Sequence, residues 1–269
     1  TDFGDMSAST DELGFMSSNT RAVIAGGSGG GGSFRNTLEY VTIASTGNVT
    51  DFGDMTAAKA FLMGASSSTK GFILGGYTGS ADVNTIETIT FSTTGDATDF
   101  GDLSAVSRSG SANTSGHAAV QNESYFAPAA MGLIAGANVS GDAAGYQTTI
   151  QYLNLASTGN TAMFGDLNEG SVSQAGLGSA TRGVFALGGT DGDESVDDTI
   201  EFSVFATKGK ATDFGNLSVA RYQLSGTSNA TIGLFGGGWV SGSVNTIDKI
   251  TIASEGNATD HGDLTQQRR

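Results

Sequence analysis

Arg21-Ala-Val-Ile-Ala-Gly-Gly27 returns four times along the chain, as Lys70-Gly-Phe-Ile-Leu-Gly-Gly76, Met131-Gly-Leu-Ile-Ala-Gly-Ala137, Arg182-Gly-Val-Phe-Ala-Leu-Gly-Gly189 and Ile232-Gly-Leu-Phe-Gly-Gly-Gly238. Each copy is a short apolar run stopped by small residues, the pattern of a buried strand that ends in a tight turn. One structural unit is therefore written five times. The fold follows from how such units combine.

A second marker runs in step with the first. Thr1-Asp-Phe-Gly-Asp-Met6 recurs around Phe52, Phe100, Phe164, Phe214 and His261, at spacings of 49, 48, 64, 50 and 47 residues from Phe3 onward. Between the markers lie Asn36-Thr-Leu-Glu-Tyr-Val-Thr-Ile43 and its counterparts, rich in β-branched and aromatic residues with polar ones interleaved, which predicts a less buried strand. Polar turns such as Ser45-Thr-Gly-Asn48 follow, where Gly supplies φ > 0 and Asn or Asp tolerates it. A weaker strand, for example Phe61-Leu-Met-Gly64, precedes each Gly-Gly strand. The unit is thus a meander of four strands, a to d, and nothing longer than a turn carries a helical period.

Four strands cannot bury both faces alone, so units must stack. Radial stacking gives a β-propeller, with few free edges. The expected fold is an all-β, five-bladed propeller of four-stranded antiparallel blades, one repeat domain over 1–269. Its blades fall near 7–54, 55–102, 103–167, 168–217 and 218–264, with 1–6 an extra outer strand and 265–269 a tail. If the ring closes, either end strand completes the fifth blade. A linear β-solenoid, with rungs of roughly 20–29 residues, is the competing architecture.

Composition narrows the function classes. The chain has 27 acidic and 12 basic residues, a net charge of −15 that repels phosphate backbones and anionic lipid surfaces. Nucleic acid is not an expected partner, and no apolar run is long enough for membrane insertion as a helix. The absence of Cys excludes disulfides and thiolate metal sites. Thr1 opens in the middle of a repeat motif without an initiator Met, so the chain is expected to be a processed or partial product of a longer polypeptide.

From Phe72-Ile-Leu-Gly-Gly76 through Thr98-Asp-Phe-Gly-Asp-Leu-Ser-Ala-Val-Ser-Arg108 the order of elements resembles kelch repeats, with Phe100 where the kelch pattern usually has Trp. The wording of residues 44–55, Ala-Ser-Thr-Gly-Asn-Val-Thr-Asp-Phe-Gly-Asp-Met, is similar to the kelch-like repeats of virion structural proteins from tailed phages of marine bacteria and cyanobacteria. This resemblance implies a non-enzymatic part of a virus particle, an appendage, fibre or capsid decoration at the virion surface or otherwise extracellular. Its implied partners are other virion proteins, further copies of itself, or a host-surface glycan or protein. It transfers no catalytic residue. A secreted, lectin-like carbohydrate-binding propeller is the alternative, and a propeller hydrolase or oxidase a third class; the Cys-linked Tyr of kelch-type copper oxidases is excluded because there is no Cys.

Candidate site residues are few. His117 and His261 lie in different repeats, and His261 replaces a repeated Phe, which reads as a packing variant. The loop containing Asp191, Asp193, Glu194 and Asp197 is the densest group of oxygen ligands and suits Ca²⁺, against the alternative of a solvated acidic turn with no cofactor. The repeated acids Asp2, Asp51, Asp99, Asp213 and Asp260 are expected to close turns, with the following Phe pointed inward by strand alternation. Tyr77 and Trp239 follow the Gly-Gly strand directly and are candidate ligand platforms, with Ser28, Asn138 and Thr190 at the same place elsewhere. The b–c loops (28–35, 77–83, 138–147, 190–197 and 239–244) vary over a repeated scaffold, so recognition is expected on their rim. An insertion at 121–130 carries Tyr125 and Phe126, which serve as a ligand contact or pack on the propeller or a neighbouring subunit.

Overall fold

A computed structural model describes residues 3–30, 32–114, 131–137, 146–190 and 195–269. Every described element is a strand, and the strands build five four-stranded antiparallel sheets. In the first sheet the a to d strands are Gly14–Ser17, Arg21–Ala25, Thr37–Thr42 and Thr50–Asp54. In the second they are Met63–Ser66, Lys70–Leu74, Thr85–Thr90 and Thr98–Asp102. The third has Ser111–Thr114, Met131–Ala135, Thr149–Asn154 and Ala162–Asp166. The fourth has Ala175–Gly178, Arg182–Ala186, Thr199–Val204 and Thr212–Asn216. The fifth has Ser225–Ser228, Ile232–Gly236, Val244–Thr251 and Thr259–Arg268. Each sheet is a meander in chain order, which excludes the parallel coils of a solenoid. Two-residue strands pair across the first and fourth b–c loops.

The cores lie between sheets. Met16, Val23 and Leu38 of the first sheet meet Ile73, Ile89 and Phe91 of the second. Phe72, Leu74 and Phe100 meet Ile134, Leu153 and Leu155 of the third. Equivalent clusters join the third sheet to the fourth and the fourth to the fifth. A strand-b run such as Phe72-Ile-Leu74 is therefore wholly buried because one side chain faces the preceding sheet and its neighbours face the following one. The arrangement is propeller-like, with inner a strands packed in sequence order.

Five four-stranded sheets are present, but among the described residues no core joins the fifth sheet to the first. Of the two end strands, Thr259–Arg268 completes the fifth sheet as its d strand. Phe3–Met6 instead lies where a preceding sheet would have its outer strand. Gly47 donates its N–H to Phe3 O at 2.7 Å, as Gly95 does to Phe52 O at 2.7 Å and Gly159 to Phe100 O at 3.0 Å. The array therefore has six outer-strand places, five of them in complete sheets. The 121–130 insertion, with Tyr125 and Phe126, lies outside the described residues, as does His117.

The Phe of the Asp-Phe-Gly-Asp motif faces inward for a reason other than alternation. In every sheet the c–d register slips at this point: Leu38 pairs with Gly53 and Glu39 with Asp51, leaving Phe52 as the extra residue of a β-bulge. The same slip recurs at Phe100, Phe164, Phe214 and His261. A bulge re-aims its side chain, and here it drives Phe52 into the core shared with the next sheet, where it is 2% exposed. The following Gly53 has φ 146° with the neighbouring Gly95 carbonyl against it, so a Cβ there would meet strained backbone and a filled space.

Candidate functional site

The rim formed by the b–c loops and the d–a linkers carries the charged and aromatic side chains that are specific to individual repeats. Tyr77 is half-buried, pairs through its backbone with Ala60 and donates its hydroxyl to Gly79 O at 3.0 Å. The Arg108 guanidinium, from the linker that follows this sheet, lies 4.9 Å from the Tyr77 ring centroid and 5.6 Å from that of Phe61. Its Nη1 is 3.3 Å from Asp82 Oδ1, and the Phe34 ring meets Tyr77 edge-on at 5.7 Å. Trp239 has the same construction: its backbone bridges Tyr222, and the Arg269 guanidinium sits 4.5 Å from its ring centroid. A cation over an aromatic face is an attractive contact that also covers that face. The two candidate platforms are thus aromatic–arginine pairs. Their counterpart in the fourth sheet is Gly189, which bridges Val172, and not Thr190: Leu187 donates its N–H to Thr199 O as Gly75 does to Thr85 O, so Leu187-Gly188 stands in the place of Gly75-Gly76.

Inside this rim runs a ladder that strand patterning does not disclose. Glu12, Phe61, Ser109, Ser173 and Gln223 each precede an a strand and each adopts positive φ, from 54° to 59°. Phe61 N–H donates to Glu12 O, Ser109 N–H to Phe61 O, Ser173 N–H to Ser109 O and Gln223 N–H to Ser173 O, at 2.8–3.1 Å. The left-handed conformation costs a non-Gly residue about 1 kcal/mol or more. It is held because each of these N–H groups reaches the preceding unit. None of the five residues is Gly or Asn, so no local signal marks them.

Buried charges are used between sheets. Lys59, in the linker after the first sheet, donates to Glu87 Oε1 at 2.7 Å and to Thr85 Oγ1 at 3.1 Å, and Glu87 also accepts the Thr56 N–H at 3.1 Å. Arg221 repeats the device with Asp248 at 2.8 Å, and Ser218 N–H donates to the same carboxylate at 3.1 Å; both side chains are fully buried. In the third sheet Gln151 takes the place of the acid and accepts the Ser104 N–H at 2.9 Å. In the fourth, Glu201 accepts the Asn168 N–H at 3.0 Å but has Ser171 where the others have Lys59 or Arg221. Burial raises the Glu201 carboxyl above its ordinary value, against the lowering effects of the Asn168 hydrogen bonds and of the Lys210 charge.

Of the repeated acids expected to close turns, two do so among the described residues, and Asp2 lies outside them. Asp213 and Asp260 accept the N–H of Gly215 and Gly262, at 3.2 and 3.0 Å, as turn-closing acids should. In the c–d turns Gly supplies the positive φ as expected, at Gly95, Gly159 and Gly256, while the neighbouring Asn48, Asp96, Asn160 and Asn257 do not adopt it. Their side chains instead accept the N–H of Asp5, Asp54, Asp102 and Asn216 in the neighbouring outer strand, at 3.0–3.1 Å. Asp191, Asp193 and Glu194 lie outside the described residues. Asp197 is described, and its carboxylate accepts the Thr199 N–H at 2.7 Å, opening the c strand. His261 is exposed, not packed like Phe52, because no sheet covers the fifth sheet's outer strand.

No protein-family model matches the chain, and no curated protein matches it either.

Proposed function

We propose that the chain is a non-enzymatic structural and adhesive component of a virus particle, an appendage, fibre or capsid decoration built on kelch-like propeller blades. The observation that carries this reading is the division of labour between the two rims. One rim repeats the same turn and the same Gly–outer-strand contact at every sheet junction; the other presents loops that differ in every described copy, over a scaffold stiffened by buried ion pairs. Variable loops on a rigid repeated scaffold suit recognition of a partner or host surface. The repeat wording quoted from residues 44–55 supplies the viral part of the reading. Both aromatic platforms carry a guanidinium, so a sugar stacking on Tyr77 or Trp239 must first displace Arg108 or Arg269, which disfavours the lectin-like alternative. Ca²⁺ at the 191–197 loop remains part of the proposal as a loop-ordering ion.

Mass spectrometry of purified phage particles tests the assignment: the chain is expected among the virion proteins, and its absence from every particle fraction overturns it. Replacing Tyr77 and Trp239 together by Ala should weaken particle adhesion to host cells while leaving particle assembly intact. Binding of the isolated protein to a glycan array that is abolished by the same pair would favour the secreted lectin.

A further inference from the structure

The junction between successive sheets is built four times from the same parts, and each end of the array presents half of a further such junction. At the fifth sheet, Gly262 has nothing within 4 Å of where its Cβ would stand, whereas Gly53, Gly101, Gly165 and Gly215 each face the turn of a following sheet. Arg268 holds the backbone place of Lys59: its carbonyl accepts the Gly238 N–H at 2.9 Å, as Lys59 O accepts that of Gly27 at 2.9 Å. Lys59 and Arg221 are buried on carboxylates, but the Arg268 side chain is exposed and pairs with no carboxylate among the described residues. The inner ladder also stops here, since the Gln223 carbonyl has no partner among the described residues.

The first sheet shows the complementary half. Ile43 is 43% exposed where its counterparts Phe91, Leu155, Phe205 and Ile252 are at most 4% exposed. Phe15 and Phe3 are 57% and 40% exposed, and the Glu12 N–H that would continue the ladder has no partner among the described residues. Phe3–Asp5 contacts the Gly47 turn as an outer strand does, yet pairs with no c strand.

We propose that the space between the fifth sheet and the first is a seat for one further unit of the same repeat, contributing strands a, b and c and taking Phe3–Met6 as its outer strand. This inference is independent of the viral reading. The unit must carry an acid at the position of Glu87 to receive Arg268, a Gly-containing c–d turn to lie on Gly262, and apolar residues at the positions of Ile73, Ile89 and Phe91 to cover the fifth sheet. Direct contact of the fifth sheet with the first is ruled out as the occupant, because the Gly47 turn that would meet Gly262 is already covered by Phe3–Met6. A second copy of the chain meets the same obstacle, as its own Phe3–Met6 covers its own turn. Phe15 departs from the repeated junction by its bulk: Gly64, Ala112, Gly176 and Gly226 hold its place in the other sheets, where the three glycines approach the preceding strand closely.

The test appends a second copy of residues 61–97 after Arg269, which continues the register in which Arg268 matches Lys59. A parallel version carries Phe15→Gly to leave room for the new inner strand. The extended chain is expected to stay monomeric, to melt several degrees above the parent, and to protect the amide of Met6, whose counterparts Met55 and Leu103 donate to their own c strands, from hydrogen exchange by about tenfold or more. Arg268→Ala, or Gln in place of the appended copy of Glu87, should each remove part of the gain, and the two together no more than either alone. An appended segment that is cleaved by protease with an unchanged melting point in both versions overturns the proposal. So does concentration-dependent self-association of the parent chain that buries Phe15 and Ile43, which would make a second copy the occupant.

Discussion

At the scale of single residues, the close approach of the inner strands decides which glycines are irreplaceable. Gly64 lies against the Phe15 carbonyl so tightly that an added Cβ would overlap it, whereas Gly226 would place a Cβ 2.8 Å from Gly176 O, and Ala112 already occupies the same position in the third sheet. Gly64→Ala is therefore expected to cost about 1–3 kcal/mol, the scale of overpacking, and Gly226→Ala less. Equilibrium denaturation of the two variants measures the difference. Glu201 makes an opposite prediction. Its carboxyl is raised by burial, so the native state holds a proton more tightly than the unfolded chain, and stability falls as pH rises from the ordinary value of 4.5 through the raised one. Glu201→Gln keeps an acceptor for the Asn168 N–H, as Gln151 does for Ser104, and removes the charge. It should stabilise the protein at pH 7 by about 1 kcal/mol, with the advantage over the parent fading as pH falls through the raised value towards 4.5. A variant as stable as the parent at pH 7 would show that Glu201 is not held as a costly carboxylate.

At the scale of elements, the outer strand and the linker after it work as one connector. The bulge turns its Phe into the next sheet, the Gly accepts the close approach of that sheet's turn, and the second N–H beyond the strand reaches an acid or amide on that sheet's c strand. Where the linker also supplies a cation, the connection is a buried ion pair. Removing one partner of such a pair leaves the other charged and unpaired, whereas replacing both with apolar side chains is far less damaging. Arg221→Met is expected to cost about 3–5 kcal/mol, and Arg221→Met combined with Asp248→Leu clearly less. A double variant less stable than the single one would mean that the Ser218 N–H bond to Asp248, not the ion pair, dominates this junction. On the opposite rim the basic residue opening a b strand ties sheets in the same direction: Arg21 donates to Phe91 O at 2.7 Å and Arg182 to Ile252 O at 3.2 Å, each crossing to the next sheet.

At the scale of the whole molecule, the cores belong to pairs of neighbours, so stability is close to a sum of nearest-neighbour terms. The second, third and fourth sheets are covered on both faces; the first and fifth are covered on one. Native-state hydrogen exchange is therefore expected to show the slowest amides in strands such as Lys70–Leu74 and Arg182–Ala186, and faster exchange in Ser225–Ser228 and Gly14–Ser17. Uniform protection across the five sheets would imply a closed cooperative unit. The polar Ser225 and Thr227 stand where the inner strand of the fourth sheet has Ala175 and Leu177, and they are the exposed end of this gradient.

The sequence by itself determined the unit: five copies of an apolar run ending in small residues, a polar-faced third strand and the Asp-Phe-Gly-Asp outer strand are local patterns, and local patterns are what strand periodicity and turn chemistry report. It also marked the variable rim and the aromatic residues at its loops, because differences between repeats are visible without coordinates. Only the tertiary structure decided that Tyr77 and Trp239 lie beneath arginines from the following linkers, that the repeated Phe is aimed by a bulge, and that five non-Gly residues take positive φ. Each of these depends on a contact with another unit, and a neighbour across a junction leaves no trace in the residues on either side of it. Ring closure is the clearest case. Repeat count alone is compatible with a closed set of five, but the turn of the first sheet is occupied by Phe3–Met6 on Gly47 and no core joins the fifth sheet to the first among the described residues, and those are properties of packing.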